Sequence, residues 1–214
     1  MNIKCESAVE RFLGFDPATL YEAAGRRGMV DPAIRPAWAG AQLCGVAATV
    51  ECPPADNLML HHAVAAAPPG VVIVATLGGY LLTGAWGEIL TAAAQARGVS
   101  GLAVDGAVRD IEAIAERSFP VFSRGLAIGA CTKERPGRLD VPIYFGGVIV
   151  RPGDIVVGNA DGVVIIEQER ADQVYAAAAA RRDREAELME QLRQGRTTIE
   201  LLGLPGLEQL KAAK

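Results

Sequence analysis

Three residues near the middle of the chain have types and a spacing suited to chemistry on a small anion. Glu88 follows Gly87, and after twenty intervening residues come Arg109 and Asp110. Arginine offers a planar pair of donors to a carboxylate or to a developing enolate oxygen. Aspartate offers a hard oxygen ligand for Mg²⁺ or Mn²⁺, with substrate oxygens and water filling the other positions. Together these groups could bind a 2-oxo acid and stabilise its enolate.

The predicted elements around these residues place them at one edge of a parallel sheet. A β-branched strand over 71–75 leads through a glycine-rich loop over 78–87 into a helix over 88–97. A second strand over 101–104 precedes a helix over 108–117. This alternation is typical of βαβ units, in which ligands bind beyond the carboxyl ends of the strands. We therefore expect both halves of the motif at that edge.

The start of the predicted helix adds donors for an anionic group. Its first backbone N–H groups have no acceptor within the helix and could hold a substrate carboxylate, with the helix dipole adding to the attraction. These groups belong to Gly87, Glu88, Ile89 and Leu90. Spacing alone leaves structural roles open, because Asp110 could cap its helix, Arg109 could pair with Asp105, and the glycines could serve a turn.

The other predicted elements complete a single α/β domain with a helical extension. Helices are expected from Pro17 to about residue 25 and over 57–67, with strands over 43–50 and 120–123. Turn residues separate three short strands that predict an antiparallel meander, over 146–150, 154–158 and 162–166. A long helix should follow over 169–194. We assign residues 1–168 to an α/β catalytic domain and 169–214 to its C-terminal helical extension.

Composition argues against several partners. The net charge of −4 and the pI near 5.3 give no basic field for nucleic acid. The longest apolar stretches are too short for a membrane span, so a soluble, cytoplasmic protein is expected.

The cysteines form no C-x-x-C pair, and they are Cys5, Cys44, Cys52 and Cys131. His61 and His62 lie in a predicted helix without a third ligand at metal spacing, which favours a structural role.

The motif resembles the acidic-x20-Arg-Asp signature of a known family. This family comprises the class II pyruvate aldolases for 4-hydroxy-4-methyl-2-oxoglutarate and 4-carboxy-4-hydroxy-2-oxoadipate, and also the regulator of ribonuclease E activity A. The similarity extends from about residue 56 to residue 164, about half the chain, and includes the segment over 101–110. It implies a compact α/β sandwich of the swivelling phosphohistidine-domain type, assembled as homotrimers or hexamers.

The resemblance also implies a role for each residue of the motif. Residues 87–90 would form the substrate-binding loop, Arg109 would contact the substrate and the enolate, and Asp110 would be the protein ligand of Mg²⁺ or Mn²⁺. Glu88 would hold water bound to the metal. Many relatives have aspartate where this chain has Glu88. The longer carboxylate changes the expected water network but not the backbone contacts.

The implied reaction is a retro-aldol cleavage of a 4-hydroxy-2-oxo acid. It would release pyruvate through a metal-stabilised enolate, and oxaloacetate decarboxylation would pass through the same enolate. A Schiff-base mechanism requires a buried lysine, and the chain has only four lysines, two of them within its last four residues. The alternative is a non-enzymatic protein that binds and inhibits ribonuclease E, since such regulators share the fold and similar motifs.

The C-terminal helix supplies the last expected catalytic group. Glu185, in the segment before Leu192 and Gly195, matches the part of the aldolase family that sends a glutamate into the neighbouring subunit's site. Its surroundings include several arginines, so a solvated helix whose glutamates only form ion pairs is the alternative. A long helix with few large apolar residues needs a partner to bury surface, within its own subunit or in the next, and we expect the trimeric or hexameric assembly to supply it.

Overall fold

The computed structural model describes residue 9 and residues 11–212, so Lys4, Cys5 and Lys214 lie outside the described residues. The chain folds around a sheet of eight strands, accompanied by a two-stranded ribbon. The strands are β1 (Arg35–Pro36), β2 (Leu43–Glu51), β3 (Val71–Trp86), β4 (Gly101–Val108), β5 (Val121–Leu126), β6 (Arg138–Leu139), β7 (Ile143–Phe145), β8 (Val148–Val150), β9 (Ile155–Asn159) and β10 (Gly162–Ile166).

The helices alternate with the first strands and then gather at the C-terminus. They are α1 (Pro17–Ala23), α2 (Leu58–Ala66), α3 (Glu88–Ala96), α4 (Ile111–Glu116), α5 (Ala171–Arg193), α6 (Thr198–Leu202) and α7 (Leu207–Ala212), with a 3₁₀ turn over Gln168–Arg170. Proline at the first position of α1 opens that helix as predicted, since its fixed φ suits the first turn. The long predicted helix is confirmed as α5.

The large sheet has the order β1-β5-β4-β3-β2-β9-β10, with β6 paired to the end of β2. Strands β2 to β5 are parallel, whereas β9 and β10 add an antiparallel hairpin beside β2. Helical crossovers impose the parallel pairing, because parallel neighbours cannot be joined by a tight turn. The predicted mixed α/β class, with a mostly parallel central sheet, is confirmed.

Separate apolar cores cover the two faces of the sheet. Leu60 of α2, Leu90 of α3 and Ile114 of α4 pack on one face. The other face is covered by the segment that contains Val30 and Ile34 and by the β7–β8 ribbon. A third cluster joins α1 and α5 to β9 and β10. The parallel strands are therefore buried on both sides, which explains their continuous apolar sequences.

Two predicted connections are wrong in detail. The segment over 78–87 is not a simple loop, because β3 continues to Trp86 while its pairing with β4 shifts register three times. Thr76 pairs with Asp105 and Trp86 pairs with Val108, so an advance of ten residues along β3 matches an advance of only three along β4. The extra residues of β3 form bulges. The expected three-strand meander is also absent among the described residues, since β8 pairs with β7 and only β9 and β10 form a hairpin.

The boundary of β4 sets the position of the candidate site. Helix α4 begins at Ile111 rather than at residue 108, because β4 continues to Val108. Arg109 and Asp110 therefore form the two-residue link between strand and helix, at the carboxyl edge where ligands bind. Among the described residues, no helix is long and apolar enough to cross a membrane.

Candidate active site

A buried tryptophan fixes the junction between β3 and α3. The Trp86 indole N–H donates to the hydroxyl of Thr91 (2.8 Å), and that hydroxyl donates to the carbonyl of Gly87 (3.1 Å). The indole also stacks on Phe119, with ring centroids 6.1 Å apart. Because these contacts are buried, the first turn of α3 is held against the core, and its exposed N–H groups have a defined direction.

Hydrogen bonds join the two halves of the motif. The backbone N–H of Arg109 donates to the carbonyl of Trp86 (2.9 Å), and the N–H of Glu88 donates to Oδ2 of Asp110 (3.1 Å). The Nε atom of Arg109 lies 3.6 Å from the same carboxylate oxygen. The structure therefore brings Glu88, Arg109 and Asp110 together at the ends of β3 and β4, although twenty residues separate them in sequence.

Neither structural alternative for the charged side chains is found. Asp110 occupies the position before α4, but its carboxylate caps no N–H group of that helix and turns instead to α3. Asp105 pairs with Arg124, whose Nε donates to its carboxylate (2.6 Å), so Asp105 is not the partner of Arg109. Both motif side chains are about 40% exposed, which leaves them accessible to a ligand.

Close approach of the backbone requires glycine at position 87. A Cβ atom on Gly87 would lie 2.3 Å from Oδ2 of Asp110 and 3.2 Å from Cγ of Arg109. The φ of Gly87, −154°, suits any residue. Glycine is therefore required here by the lack of space for a side chain and not by the backbone conformation. A similar restriction applies to Gly84, whose Cβ would lie 2.9 Å from that of Arg109. The glycines let the end of β3 pack directly against the motif.

The first turn of α3 provides donors for a carboxylate. The N–H groups of Ile89 and Leu90 have no acceptor within the helix, whereas that of Thr91 is bonded to the carbonyl of Gly87. The Ile89 side chain is 79% exposed, so this turn faces solvent. The predicted substrate loop over 87–90 is therefore an open helix start beside Arg109 and Asp110.

The Glu88 carboxylate has a partner that the sequence analysis missed. Arg117, the residue after α4, donates to Oε1 of Glu88 from Nη2 (2.7 Å) and Nε (3.3 Å). The carbonyl of Arg117 in turn accepts a hydrogen bond from the Gln95 side chain (2.9 Å). No spacing rule indicates this pair, because it joins the start of one helix to the end of the next. Arg117 fixes the direction in which Glu88 points.

The oxygen atoms available at the motif fit a hard divalent cation that takes most of its ligands from water and substrate. No group of three His, Cys, Asp or Glu side chains among the described residues could hold a metal ion. Asp110 nevertheless presents a half-exposed carboxylate with Oδ2 fixed by Glu88 N–H. Magnesium sites commonly use one or two carboxylates and complete their octahedra with water and substrate oxygens. Asp110 satisfies that requirement, whereas the carboxylate of Glu88 is engaged by Arg117.

A cavity of about 860 Å³ lies near this motif rather than on it. Its wall includes Asp105 of β4, which lies four residues, or about 13 Å, before Arg109 in the chain. Arg124 bridges Asp105 and Asp31 there, with contacts of 2.6 and 2.8 Å. The hydrogen bond from Ala33 N–H and that from Arg124 lower the pKa of Asp31. Since the cavity's charges are already paired, the open motif remains the stronger candidate site.

Glu185 does not reach the motif within one chain. Arg181 Nε lies 2.8 Å from its carboxylate, as an ion pair, and the same guanidinium contacts Glu22 of α1. Helix α5 packs beside β10, and β4 lies four strands away in the sheet. Four spacings correspond to about 19 Å. Any contribution of Glu185 to catalysis must therefore come from another copy of the chain.

Other reactive side chains are unsuited to catalysis. Burial raises the pKa of Cys44 to about 11 and that of Cys52 to about 12, so both thiols stay protonated near neutrality. His61 is half-buried, and burial, together with Lys133 and His62, lowers its pKa. The described lysines, Lys133 and Lys211, are both exposed, so the described residues offer no buried amine for a Schiff base.

Comparison with known proteins identifies a family whose range includes the motif. Residues 17–165 match the RraA-like family, described as Aldolase/RraA. A protein of Halalkalibacterium halodurans, provisionally named 4-hydroxy-4-methyl-2-oxoglutarate aldolase, is 40% identical over 145 residues, which cover 68% of this chain and 69% of the relative. The family match spans every residue of the candidate site except Glu185.

Solved structures share the fold over most of the chain. An uncharacterised protein from Pseudomonas syringae superimposes with a TM-score of 0.82 at 30% identity, covering 90% of this chain and 91% of the other. RraAS2 from Streptomyces coelicolor, described as an unusual member of the RNase ES inhibitor RraA family, gives 0.76 at 25% identity. That match covers 89% of this chain and 96% of RraAS2. The mixed α/β fold therefore agrees with RraA-like structures.

Proposed function

The chain belongs to the RraA-like family of aldolases and RraA proteins, and from this premise we propose that it is a divalent-metal-dependent pyruvate aldolase. Its substrate would be a 4-hydroxy-2-oxo acid of the 4-hydroxy-4-methyl-2-oxoglutarate type, with oxaloacetate decarboxylation as a second activity. The observation that carries the proposal is the convergence of Arg109, Asp110 and the open first turn of α3.

The proposed binding mode uses two kinds of donor. The N–H groups of Ile89 and Leu90 would hold the substrate carboxylate at the positive end of α3. Arg109 would place its planar guanidinium against the 2-oxo group and stabilise the negative charge that develops there. Asp110 would hold Mg²⁺ or Mn²⁺, which when bound supplies a Lewis acid that favours the enolate form.

Bond cleavage in this scheme needs one proton acceptor. Glu88, directed by Arg117, would accept the proton of the C4 hydroxyl through an ordered water molecule. The C3–C4 bond would then break and C4 would become a carbonyl carbon. The electron pair of the broken bond would pass to C3 and form the enolate of pyruvate. Arg109 would stabilise the enolate oxygen until C3 takes the proton back from Glu88 through the same water molecule. The products are pyruvate and a carbonyl compound, so atoms and charge balance.

The test is release of pyruvate from oxaloacetate and from 4-hydroxy-4-methyl-2-oxoglutarate. The purified chain is stripped of metal, checked by elemental analysis, and assayed with and without added Mg²⁺ or Mn²⁺. We expect turnover only with metal, and none from Asp110→Ala. Full activity of the metal-free protein would reject the proposed metal dependence, and absence of turnover with either substrate would reject the aldolase.

A second function is favoured by one comparison. RraAS2, which shares the fold over 89% of this chain, is named for a family of ribonuclease inhibitors. The alternative is therefore a protein that binds and inhibits ribonuclease E. Measuring cleavage of an RNA substrate by ribonuclease E with increasing amounts of this chain separates the two functions. Inhibition that survives in Asp110→Ala would favour the regulator, because inhibition by a protein surface requires no metal ligand.

A further inference from the structure

A second pocket, of about 310 Å³, lies at a different part of the molecule from the motif. It is enclosed by the end of α1, strands β8 and β10, and the start of α5. Three arginines line it, namely Arg27, Arg151 and Arg170, and we call it the arginine pocket. Its volume is at the lower limit for small-molecule sites, which are typically a few hundred Å³.

The arginine pocket has an excess of positive charge. Among the described residues, none of its three guanidinium groups has a carboxylate partner within 4 Å. Arg170 is half-buried and donates to the carbonyl of Ala24 (3.1 Å), while Arg27 and Arg151 are exposed. Glu167 is the one carboxylate in the lining. Asp154, outside the lining, accepts from the backbone N–H of Arg151 (2.8 Å) and is attracted by its guanidinium. Three guanidinium groups still outnumber these two carboxylates, so an excess positive charge attracts an anion, in a chain whose overall charge is −4.

Apolar side chains complete the wall of the pocket. Ile165 and Val174 are buried, whereas Ile149 is 51% exposed although it is large and apolar. Inorganic anions gain nothing from such a surface, but an organic anion can cover it and remove apolar area from water. The lining therefore combines the two features of a site for an amphipathic ligand, a polar group that orients and an apolar wall that binds.

Sheet register shows that the arginine pocket is remote from Asp110. Ile166, in the wall of the pocket, pairs with Ile155 of β9. Ile155 also pairs with Val46 of β2, so Ile166 and Val46 share one register position across the sheet. Val46 pairs with Val71 of β3, and the next residue of β3, Val72, pairs with Gly101 at the start of β4. The motif lies eight residues further along β4, about 26 Å, and four strands across, about 19 Å. The two sites are thus roughly 30 Å apart.

We propose that the arginine pocket binds a small organic oxyanion, a carboxylate or a phosphate carried on an apolar body. Guanidinium groups recognise both oxyanions through paired N–H donors, so the shared chemistry is a planar, bidentate contact. The apolar body would rest on Ile149 and its neighbours. This inference does not rest on the proposed aldolase function, because none of its residues belongs to the motif.

The test is calorimetric titration of the full chain with phthalate, phenyl phosphate and inorganic phosphate. We expect phthalate or phenyl phosphate to bind at one site and inorganic phosphate to bind at least about tenfold more weakly, because it lacks the apolar body. Arg27→Gln and Arg151→Gln should each weaken organic-anion binding about tenfold. Both arginines are exposed, so the thermal midpoint of each variant should match that of the wild type.

Two control variants decide where the probe binds. Arg97→Gln removes an exposed charge outside the pocket and should leave the affinity for the probe unchanged. Arg109→Lys reports whether the probe binds at the motif instead. If Arg97→Gln and Arg151→Gln lost affinity for the organic anion equally, the loss would reflect the net charge of the protein and not the pocket. Binding that disappears only in Arg109→Lys would place the anion at the motif. Either result, or absence of binding to the wild type, overturns the proposal.

Discussion

Asp110 illustrates how one side chain links backbone conformation to chemistry. Its φ of 58° lies in the left-handed region, which Asp and Asn tolerate better than other residues with a Cβ. This conformation turns the chain sharply between β4 and α4, and the carboxylate thereby meets the N–H of Glu88 instead of its own helix. The same turn leaves the carboxylate half-exposed, where a cation can reach it.

Substitutions of Asp110 separate its structural and chemical roles. Asp110→Asn keeps a side-chain oxygen for Glu88 N–H and tolerates the left-handed conformation, so we expect little change in the thermal midpoint. It lacks the charge that binds a divalent cation, and pyruvate release should fall below detection. Asp110→Ala should be equally inactive and less stable by about 1 kcal/mol, because alanine is strained at this φ. Near-normal activity of Asp110→Asn would exclude a metal-ligand role.

Arg109 should not tolerate its most conservative replacement. Lysine keeps the charge of Arg109 but cannot reproduce the planar pair of donors. If this pair contacts the substrate and the enolate, Arg109→Lys lowers kcat/KM at least about a hundredfold, equivalent to about 2.7 kcal/mol of transition-state stabilisation. Steady-state kinetics with oxaloacetate measure the effect. A loss below about threefold would show that Arg109 has a structural role.

At the scale of elements, the junction of β3 with α3 depends on a glycine that packs against the motif. In Gly87→Ala the new methyl group would meet Oδ2 of Asp110 at 2.3 Å, so the carboxylate must move. We expect this substitution to lower kcat/KM at least about tenfold through displacement of Asp110. Gly14→Ala is the matched control, since nothing lies within 4 Å of its added Cβ. Equal activity of the two variants would show that the position of Asp110 is not critical.

The contact between α3 and the end of α4 should affect catalysis more than stability. Glu88 and Arg117 are 46% and 39% exposed, so their ion pair contributes at most about 1 kcal/mol to folding. Glu88→Gln should lower kcat more than it raises KM, because the neighbouring N–H groups remain. Arg117→Met should also lower kcat, since it frees the Glu88 side chain.

A double mutant tests whether Arg117 acts through Glu88. If it does, Arg117→Met should reduce kcat further by less than about twofold when Glu88 is already glutamine. Arg97→Met, at the end of α3, controls for the loss of an exposed arginine and should retain full activity. Fully additive losses would make the two residues independent. An unchanged kcat with a raised KM in Glu88→Gln would instead place Glu88 in substrate binding.

Local patterns predicted these elements better than their connections. Periodic apolar runs and the proline of α1 identified most strands and helices, because those signals lie within each segment. The course of β3 beyond Thr76 was missed, since glycines at 78 and 79 are typical of a loop, and both do have positive φ. The pairing of β7 with β8 was missed although Gly146 and Gly147, the two residues between these strands, form a two-residue hairpin signal and both have positive φ.

The site shows the same division between local and long-range information. Glu88, Arg109 and Asp110 were predicted because parallel strands bring their carboxyl ends to one edge. The resemblance then supplied the proposed roles. Arg117 and the Arg124 bridge between Asp105 and Asp31 were missed, because each contact joins different elements. An arginine inside the apolar strand β5, beside the strand that carries Asp105, was the one available signal.

At the scale of the whole molecule, the C-terminal helices bury too little surface within one chain. Helix α5 has 23 residues and is about 34 Å long, but its buried residues, Ala171, Val174 and Ala178, all lie in its first eight positions. Beyond them, α6 has no buried residue. Large apolar residues there are 47–66% exposed, namely Ile199, Leu202, Leu204, Leu207 and Leu210. Such a segment is stabilised when it packs on a partner.

We therefore predict a trimer, or a dimer of trimers, in which Glu185 completes the site of a neighbouring subunit. Within one chain Glu185 pairs with Arg181, four residues earlier on α5, and the strand before Asp110 is four strands from β10. Asp110→Ala and Glu185→Ala should each be inactive. Mixing them should restore part of the activity, since some sites then combine an intact Asp110 with a neighbour's intact Glu185. Persistent inactivity after verified subunit exchange, or sedimentation of the active wild type as a monomer, would contradict the shared site.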